Sequence, residues 1–171
     1  MRAYARVGPE RGIPLVVAGG ENRFLSEREL QEPDALGIGE WVRWPGWVEQ
    51  EDLVGFYALA EALLLPSIFE SCGLPVLEAM AAGCPVVTAD RYGTKELAEG
   101  AAVLVDPESV DSIAMGMRRV MDDEALRAEL LESGRERSRN FTWHQCAEGT
   151  MGVLERVRGR QSGKSERHAL R

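Results

Sequence analysis

The sequence predicts an α/β fold: a doubly wound parallel sheet with helices on both faces. Three observations point to it. Strand-sized apolar runs alternate with longer amphipathic stretches, the connections between them are short, and Gly or Pro marks most boundaries. The segment Met1–Arg11 reads as the tail of a helix, with Tyr4, Val7 and the alanines as a short apolar stripe. Pro14–Ala18 is a compact apolar run closed by Gly19-Gly20, as expected of a buried parallel strand and its turn. Ser26-Glu27-Arg28-Glu29 fits a capping box and opens a helix that Pro33 should interrupt. Trp41–Trp44 forms the second strand, stopped by Pro45-Gly46, and Glu49–Glu61 a helix with Leu53, Phe56, Tyr57 and Ala60 on one face.

Ala62–Leu65 is the third strand. The helix after it begins near Leu74, with Pro75 in the first turn, where a missing N–H costs nothing. Gly83 caps its end and Pro85 forbids continuation, so Val86–Ala89 returns as a strand. Lys95–Glu99 reads as a short helix and Ala101–Val105 as a strand ended by Asp106-Pro107. Val110–Met121 and Glu124–Arg139 are amphipathic helices, and a capping box of Thr142 and Gln145 opens a last helix to about Arg158. The expected organisation is therefore one domain over residues 1–158 and a basic, disordered tail over 159–171.

Size and charge narrow the function. A chain of 171 residues, 44% hydrophobic and 28% charged, is long enough to bury a core and ordinary for a globular domain. A net charge of −8 argues against a nucleic-acid partner, which needs cations for the phosphate backbone. The longest apolar runs are too short to cross a bilayer, and Met1–Gly12 lacks the pattern of a secretion signal. Three cysteines without CxxC or Cys/His spacing suit unpaired thiols in a reducing cytoplasm, and no metal is expected.

The most informative stretch is Leu64–Val87, which reads as strand, polar loop, helix and strand. It places Glu70 before the helix and Glu78 inside its first two turns. Loops at the carboxyl ends of parallel strands are where open α/β sheets bind ligands. A helix starting there aims unpaired amides and a positive dipole end into the crevice, which suits a phosphate. A carboxylate such as Glu70 offers about four acceptor sites to the adjacent hydroxyls of a sugar. A loop glutamate taken alone is usually only solvated, and Glu78 alone would gain only about 0.3–1 kcal/mol from the helix dipole.

Glu70 to Glu78 with Gly73-Leu74-Pro75 between, then Glu78-Ala79-Met80 and Gly83-x-Pro85-Val86-Val87, resembles the signature of retaining glycosyltransferases of family 4. These enzymes have the two-domain GT-B fold. The resemblance covers Tyr4 to Val157 and implies the C-terminal, donor-binding domain, Rossmann-like and lacking its first strand. It implies a nucleoside diphosphate sugar, with a GDP or UDP carrier, as partner and donor substrate, and no further cofactor or metal. Glu70 becomes the catalytic candidate, accepting hydrogen bonds from hydroxyls of the donor sugar. Glu78 would bind both ribose hydroxyls. Ser71, Cys72, Gly73 and Leu74 would act through backbone N–H groups on the sugar and diphosphate, although the family usually has Gly-Phe-Gly where this chain has Ser71-Cys72-Gly73.

Val48, in the Gly46-Trp47-Val48 loop, is the candidate for reading the nucleobase, with Trp47 expected to pack. Gly93 and Glu96 fit an acceptor-side Gly-Gly-x-x-Glu loop, and Tyr92 departs from it. His144 and His168 carry no catalytic pattern, and Cys72 has no His or second Cys at motif spacing. The family's Arg and Lys that grip the diphosphate have no counterpart before Tyr4, nor does the acceptor-binding N-terminal domain. Ligand binding without turnover is the expectation for this chain alone. The strand carrying Val16 and the strand carrying Leu64 should lie on either side of the lost one, roughly 9–10 Å apart. They are expected to close up or to accept a strand from a partner chain, a second copy included. Two other readings stay open: a non-catalytic interaction or regulatory module, and a nucleotide-sugar epimerase of the same fold. A peripheral contact with the inner face of a membrane is the remaining expectation for the basic tail.

Overall fold

In a computed structural model of the chain, residues 1–19 and 26–168 are described, with side chains as far as Gly159. Five strands form two parallel sheets: β1 (Leu15–Ala18) pairs with β2 (Val42–Gly46), and β4 (Val86–Ala89) lies between β3 (Leu63–Leu65) and β5 (Val103–Val105). Between them run α1 (Glu27–Ala35), α2 (Gln50–Leu59), α3 (Leu74–Ala82) and α4 (Tyr92–Ala98), followed by α5 (Val110–Asp122), α6 (Glu124–Arg139) and α7 (Trp143–His168). Every strand pair is parallel, with Leu64 beside Val87 and Val87 beside Val103 at the centre of the larger sheet. Parallel neighbours require crossovers, and the helices supply them. The doubly wound α/β fold is present.

Among the described residues β1 and β3 share no ladder, so the two half-sheets have not closed on each other. Side chains join them instead: Leu15, Val17 and Leu64 pack against one core cluster with Tyr4, Val7, Ala114 and Met117. Closing the ladder would force these side chains to repack. Two further clusters fill the larger half: Val76, Ala79, Met80 and Val86 under α3, and Val87, Val103, Val105, Val120 and Leu130 under α5 and α6. Each buried Val, Leu or Met among them is worth about 1.5–3 kcal/mol against exposure.

Several boundaries differ from expectation, each for a local reason. Met1–Arg11 is not a helix tail but two single 3-10 turns, Tyr4–Arg6 and Pro9–Arg11. Pro9 brings no N–H, and the Tyr4 ring lies where a Cβ on Gly8 would sit, so the chain breaks there. The Ser26–Glu29 capping box is formed in both directions, and α1 continues two residues past a buried Pro33 before ending. Helix α4 starts at Tyr92, three residues before Lys95. The chain divides into two compact units, Met1–Ser138 and Arg139–Arg171. The second unit contains α7, whose Thr142–Gln145 box forms as expected but whose backbone stays helical to His168, through most of the stretch expected to be disordered. Gly20 of the turn after β1 and residues 169–171 lie outside the described residues. Among the described residues no helix is long and apolar enough to cross a membrane.

Candidate functional site

The carboxyl rim of the larger sheet is built by the loop after β3 and the turn after β4. Pro75 in the first turn and an N-cap Gly73 at φ 80° start α3, and Gly73 offers no side chain to cap the first amides. A Cβ at Gly73 would also sit 3.0 Å from Thr94 Cγ2, so conformation and space both call for glycine there. Pro75 brings no N–H and the Val76 N–H donates to Gly73 O at 2.9 Å, so the Leu74 amide is the first-turn donor left without a side-chain cap, at the positive end of the helix dipole. At the other end of α3, Gly83 in the left-handed region donates to Ala79 and Met80 carbonyls, and the Cys84 N–H closes onto Ala79 O at 2.8 Å.

Glu70 is half-buried on the β3–α3 loop. Ser67 Oγ donates to its Oε1 at 3.3 Å, and its backbone carbonyl accepts the Gly93 N–H at 3.2 Å. Gly93 is pressed against this loop: a Cβ there would fall 2.5 Å from Ser71 O and 3.0 Å from Cys72 N. Thr88 Oγ1 donates to Leu65 O at 2.9 Å, and buried Thr94 Oγ1 lies 3.1 Å from Ala89 O and 2.8 Å from Arg91 O. These bonds fix where the two loops leave the sheet. Tyr92 holds φ 47°, the one described non-glycine residue in the left-handed region, and its exposed ring meets exposed Phe69 at 5.3 Å between centroids. A tyrosine in that conformation stores strain of order 1–3 kcal/mol, which the Gly93–Glu70 tether helps to hold.

Glu78, also half-buried, turns toward α2. Tyr57 donates its hydroxyl to Glu78 Oε2 at 3.0 Å, and Gln50 Nε2 reaches Oε1 at 3.4 Å. Burial, then the hydrogen bond and charge of Glu78, push the Tyr57 phenol well above its ordinary range, so it stays a donor at every physiological pH. Gln50 opens α2 two residues after Val48, which is half-buried at the end of the β2 loop. The neighbouring Trp47 does not pack as expected. It is 71% exposed, its Nε1 donating to Glu49 Oε1 at 3.0 Å.

Cations at this rim are already paired. Arg91 reaches Asp106 at 3.2 Å and Glu108 at 2.7 Å, and Lys95 reaches Asp90 at 2.7 Å. Leu74 and Cys72 are exposed beside Ser71, while Cys84 is buried, which pushes its thiol up and leaves it unreactive. His144, exposed on α7, sits 3.4 Å from Glu148 within the second unit. Among the described residues no three His, Cys, Asp or Glu side chains converge to hold a metal ion.

The structure thus brings Glu70, Ser71, Cys72, Gly73, Leu74 and Gly93 into one pair of tethered loops. Glu78 and the Val48 loop meet through Gln50. Sequence reasoning missed Gln50, Tyr57, Ser67 and Thr94. Tyr57 was read only as part of an apolar helix face. The signal that could have found it is Glu78 itself, since a half-buried carboxylate in an otherwise apolar helix needs a donor from a neighbouring element.

Parallel strands joined by crossover helices are the architecture of one half of the GT-B fold. The chain belongs to the family of glycosyl transferases group 1, whose model matches residues 2–137. It is 34% identical over 143 residues to O-antigen chain mannosyltransferase B of Escherichia coli, covering 83% of this chain and 37% of that one. It is 32% identical over 163 residues to the MMP alpha-(1->4)-mannosyltransferase of Mycolicibacterium hassiacum, covering 92% of this chain and 39% of that one. Among solved structures, Anabaena Alr3699/HepE in complex with UDP and glucose superposes with a TM-score of 0.80 at 22% identity, over 90% of this chain and 42% of that one. The chain therefore spans about two fifths of the length of these relatives.

Proposed function

We propose that the chain is the donor-binding domain of a retaining glycosyltransferase and holds a nucleoside diphosphate sugar at the rim just described. The reaction served is transfer of a hexosyl group from a GDP- or UDP-sugar to an acceptor hydroxyl. Glu70 accepts hydrogen bonds from sugar hydroxyls, and Glu78 accepts from the ribose diol. The amides of Ser71, Cys72, Gly73 and Leu74 take the diphosphate, and Val48 lies against the base. Gly93 carries the loop on the acceptor side. The observation that carries the reading is the pairing of Glu78, anchored to α2, with Glu70, tethered at the uncapped start of the same helix. The mannosyltransferase relatives and the UDP and glucose of Alr3699/HepE support it.

Departure of the diphosphate leaves negative charge on its oxygens, and fixed dipoles and cations stabilise that charge. Within this chain the α3 amides supply part of the stabilisation, while Arg91 and Lys95 already face carboxylates. Transfer therefore draws on further cations and on an acceptor-binding domain outside these 171 residues. The free thiols suit a cytoplasmic setting for the reaction. The test is calorimetric titration of the purified chain with a panel of UDP- and GDP-sugars, beside Glu78→Ala. Binding by the wild type and its loss in the variant are expected, with no sugar transfer by the chain alone. Equal heats from both proteins would remove Glu78 from the site.

A further inference from the structure

Both oxygens of Glu78 are engaged from the same neighbour, α2: Oε2 by the Tyr57 hydroxyl at 3.0 Å and Oε1 by the Gln50 amide at 3.4 Å. An ionised carboxylate has about four acceptor sites, so each oxygen keeps roughly one for a further donor. A vicinal diol offers two hydroxyls to the two oxygens of one carboxylate, provided the carboxylate plane is fixed. A glutamate has three rotatable bonds, and an unheld one would lose that freedom on binding. Tyr57 is half-buried, its ring partly packed against the α3 cluster, so its hydroxyl is a fixed point rather than a swinging donor. Its raised pKa keeps the proton in place. The longer Gln50 bond, at the exposed first residue of α2, is the one that can give way when a ligand arrives.

We propose that Tyr57 is a positioning residue that orients Glu78 for a cis-diol, and so makes the site selective for ribonucleoside over 2′-deoxyribonucleoside diphosphates. The inference rests on the reading of Glu78 as the ribose ligand. Removing the phenolic hydroxyl frees the carboxylate and weakens the two-point contact, whereas a ligand with one hydroxyl has little to lose. Gln50 trades its bond to Glu78 for the incoming ligand.

The experiment titrates the full chain with UDP and 2′-deoxy-UDP, and with GDP and 2′-deoxy-GDP, for wild type, Tyr57→Phe and Glu78→Ala. The wild type should prefer the better-binding ribonucleotide by about tenfold or more, the scale of one hydrogen bond to a charged group. Tyr57→Phe should weaken the ribonucleotide about five- to tenfold and leave the deoxy form nearly unchanged, so the ratio collapses. A packing role alone would weaken both nucleotides equally, and that parallel loss overturns the proposal. An unchanged ratio in Tyr57→Phe overturns it too, while leaving the donor-site reading intact if Glu78→Ala still abolishes binding. Failure of the wild type to bind any of the four nucleotides overturns both.

Discussion

The two half-sheets are made of similar apolar residues but are buried very differently. All four residues of β4 are buried, and β5 is buried at both ends, whereas β1 alternates between half-buried and exposed and leaves Val16 41% exposed. A strand in a doubly wound sheet should be covered on both faces and on both edges. In the larger half the central β4 meets that condition, paired on both sides and covered by α3, α4 and α5, while β3 is half-buried throughout. The smaller half meets it only on the face shared with Tyr4, Val7 and Met117. The difference shows where rigidity was placed: the turn that carries Gly93 leaves β4, the most completely packed strand, and the loop that carries Glu70 and Gly73 leaves β3, half-buried but hydrogen-bonded to β4 along its length. The open edge of β1 belongs to the smaller half, whose candidate is Val48 in the loop after β2.

This contrast can be broken by substitution. Met80, 1% exposed beneath α3, is the strongest lever: Met80→Ala should cost about 2–5 kcal/mol in urea denaturation, by lost transfer energy and a residual cavity. A cost below about 1 kcal/mol would mean that the larger half is not the stable one. Gly93→Ala comes next. Its Cβ would meet the Ser71 backbone at 2.5 Å, so the two loops must part, at about 1–3 kcal/mol and with weakened ligand binding. Unchanged stability and unchanged binding would show that the loops are not coupled. Val16→Thr keeps the branched strand shape on the exposed side of β1 and should change stability by no more than about 0.5 kcal/mol. A large loss there would mean that the smaller half is covered in solution.

Much of this was legible in the residues, and what was not has a local explanation. Helix α3 and strand β4 could be read almost to the residue, because Pro75, Gly83 and Pro85 each impose a backbone restriction no neighbour can override. The first eleven residues could not: the spacing of Tyr4 and Val7 suits a helix, but Gly8, Pro9 and Gly12 settle the chain into separate turns. The end of α7 was set too early because polar composition was read as disorder, although polar residues do not by themselves stop a helix. Glu70 and Glu78 stood out because they belong to one continuous motif. Tyr57 and Gln50 did not, since the group they serve lies 21 and 28 residues away and only folding brings α2 beside α3.

The measurement that bears most directly on the donor site is a paired titration of Glu70→Ala and Glu78→Ala with a nucleotide sugar and with the matching nucleoside diphosphate. The account predicts a division of labour. Glu78→Ala should lose both ligands, whereas Glu70→Ala should keep the diphosphate at near wild-type affinity and lose only the extra affinity contributed by the sugar. If both variants bound the two ligands as the wild type does, neither carboxylate would touch the donor, and the assignment of this rim would be wrong.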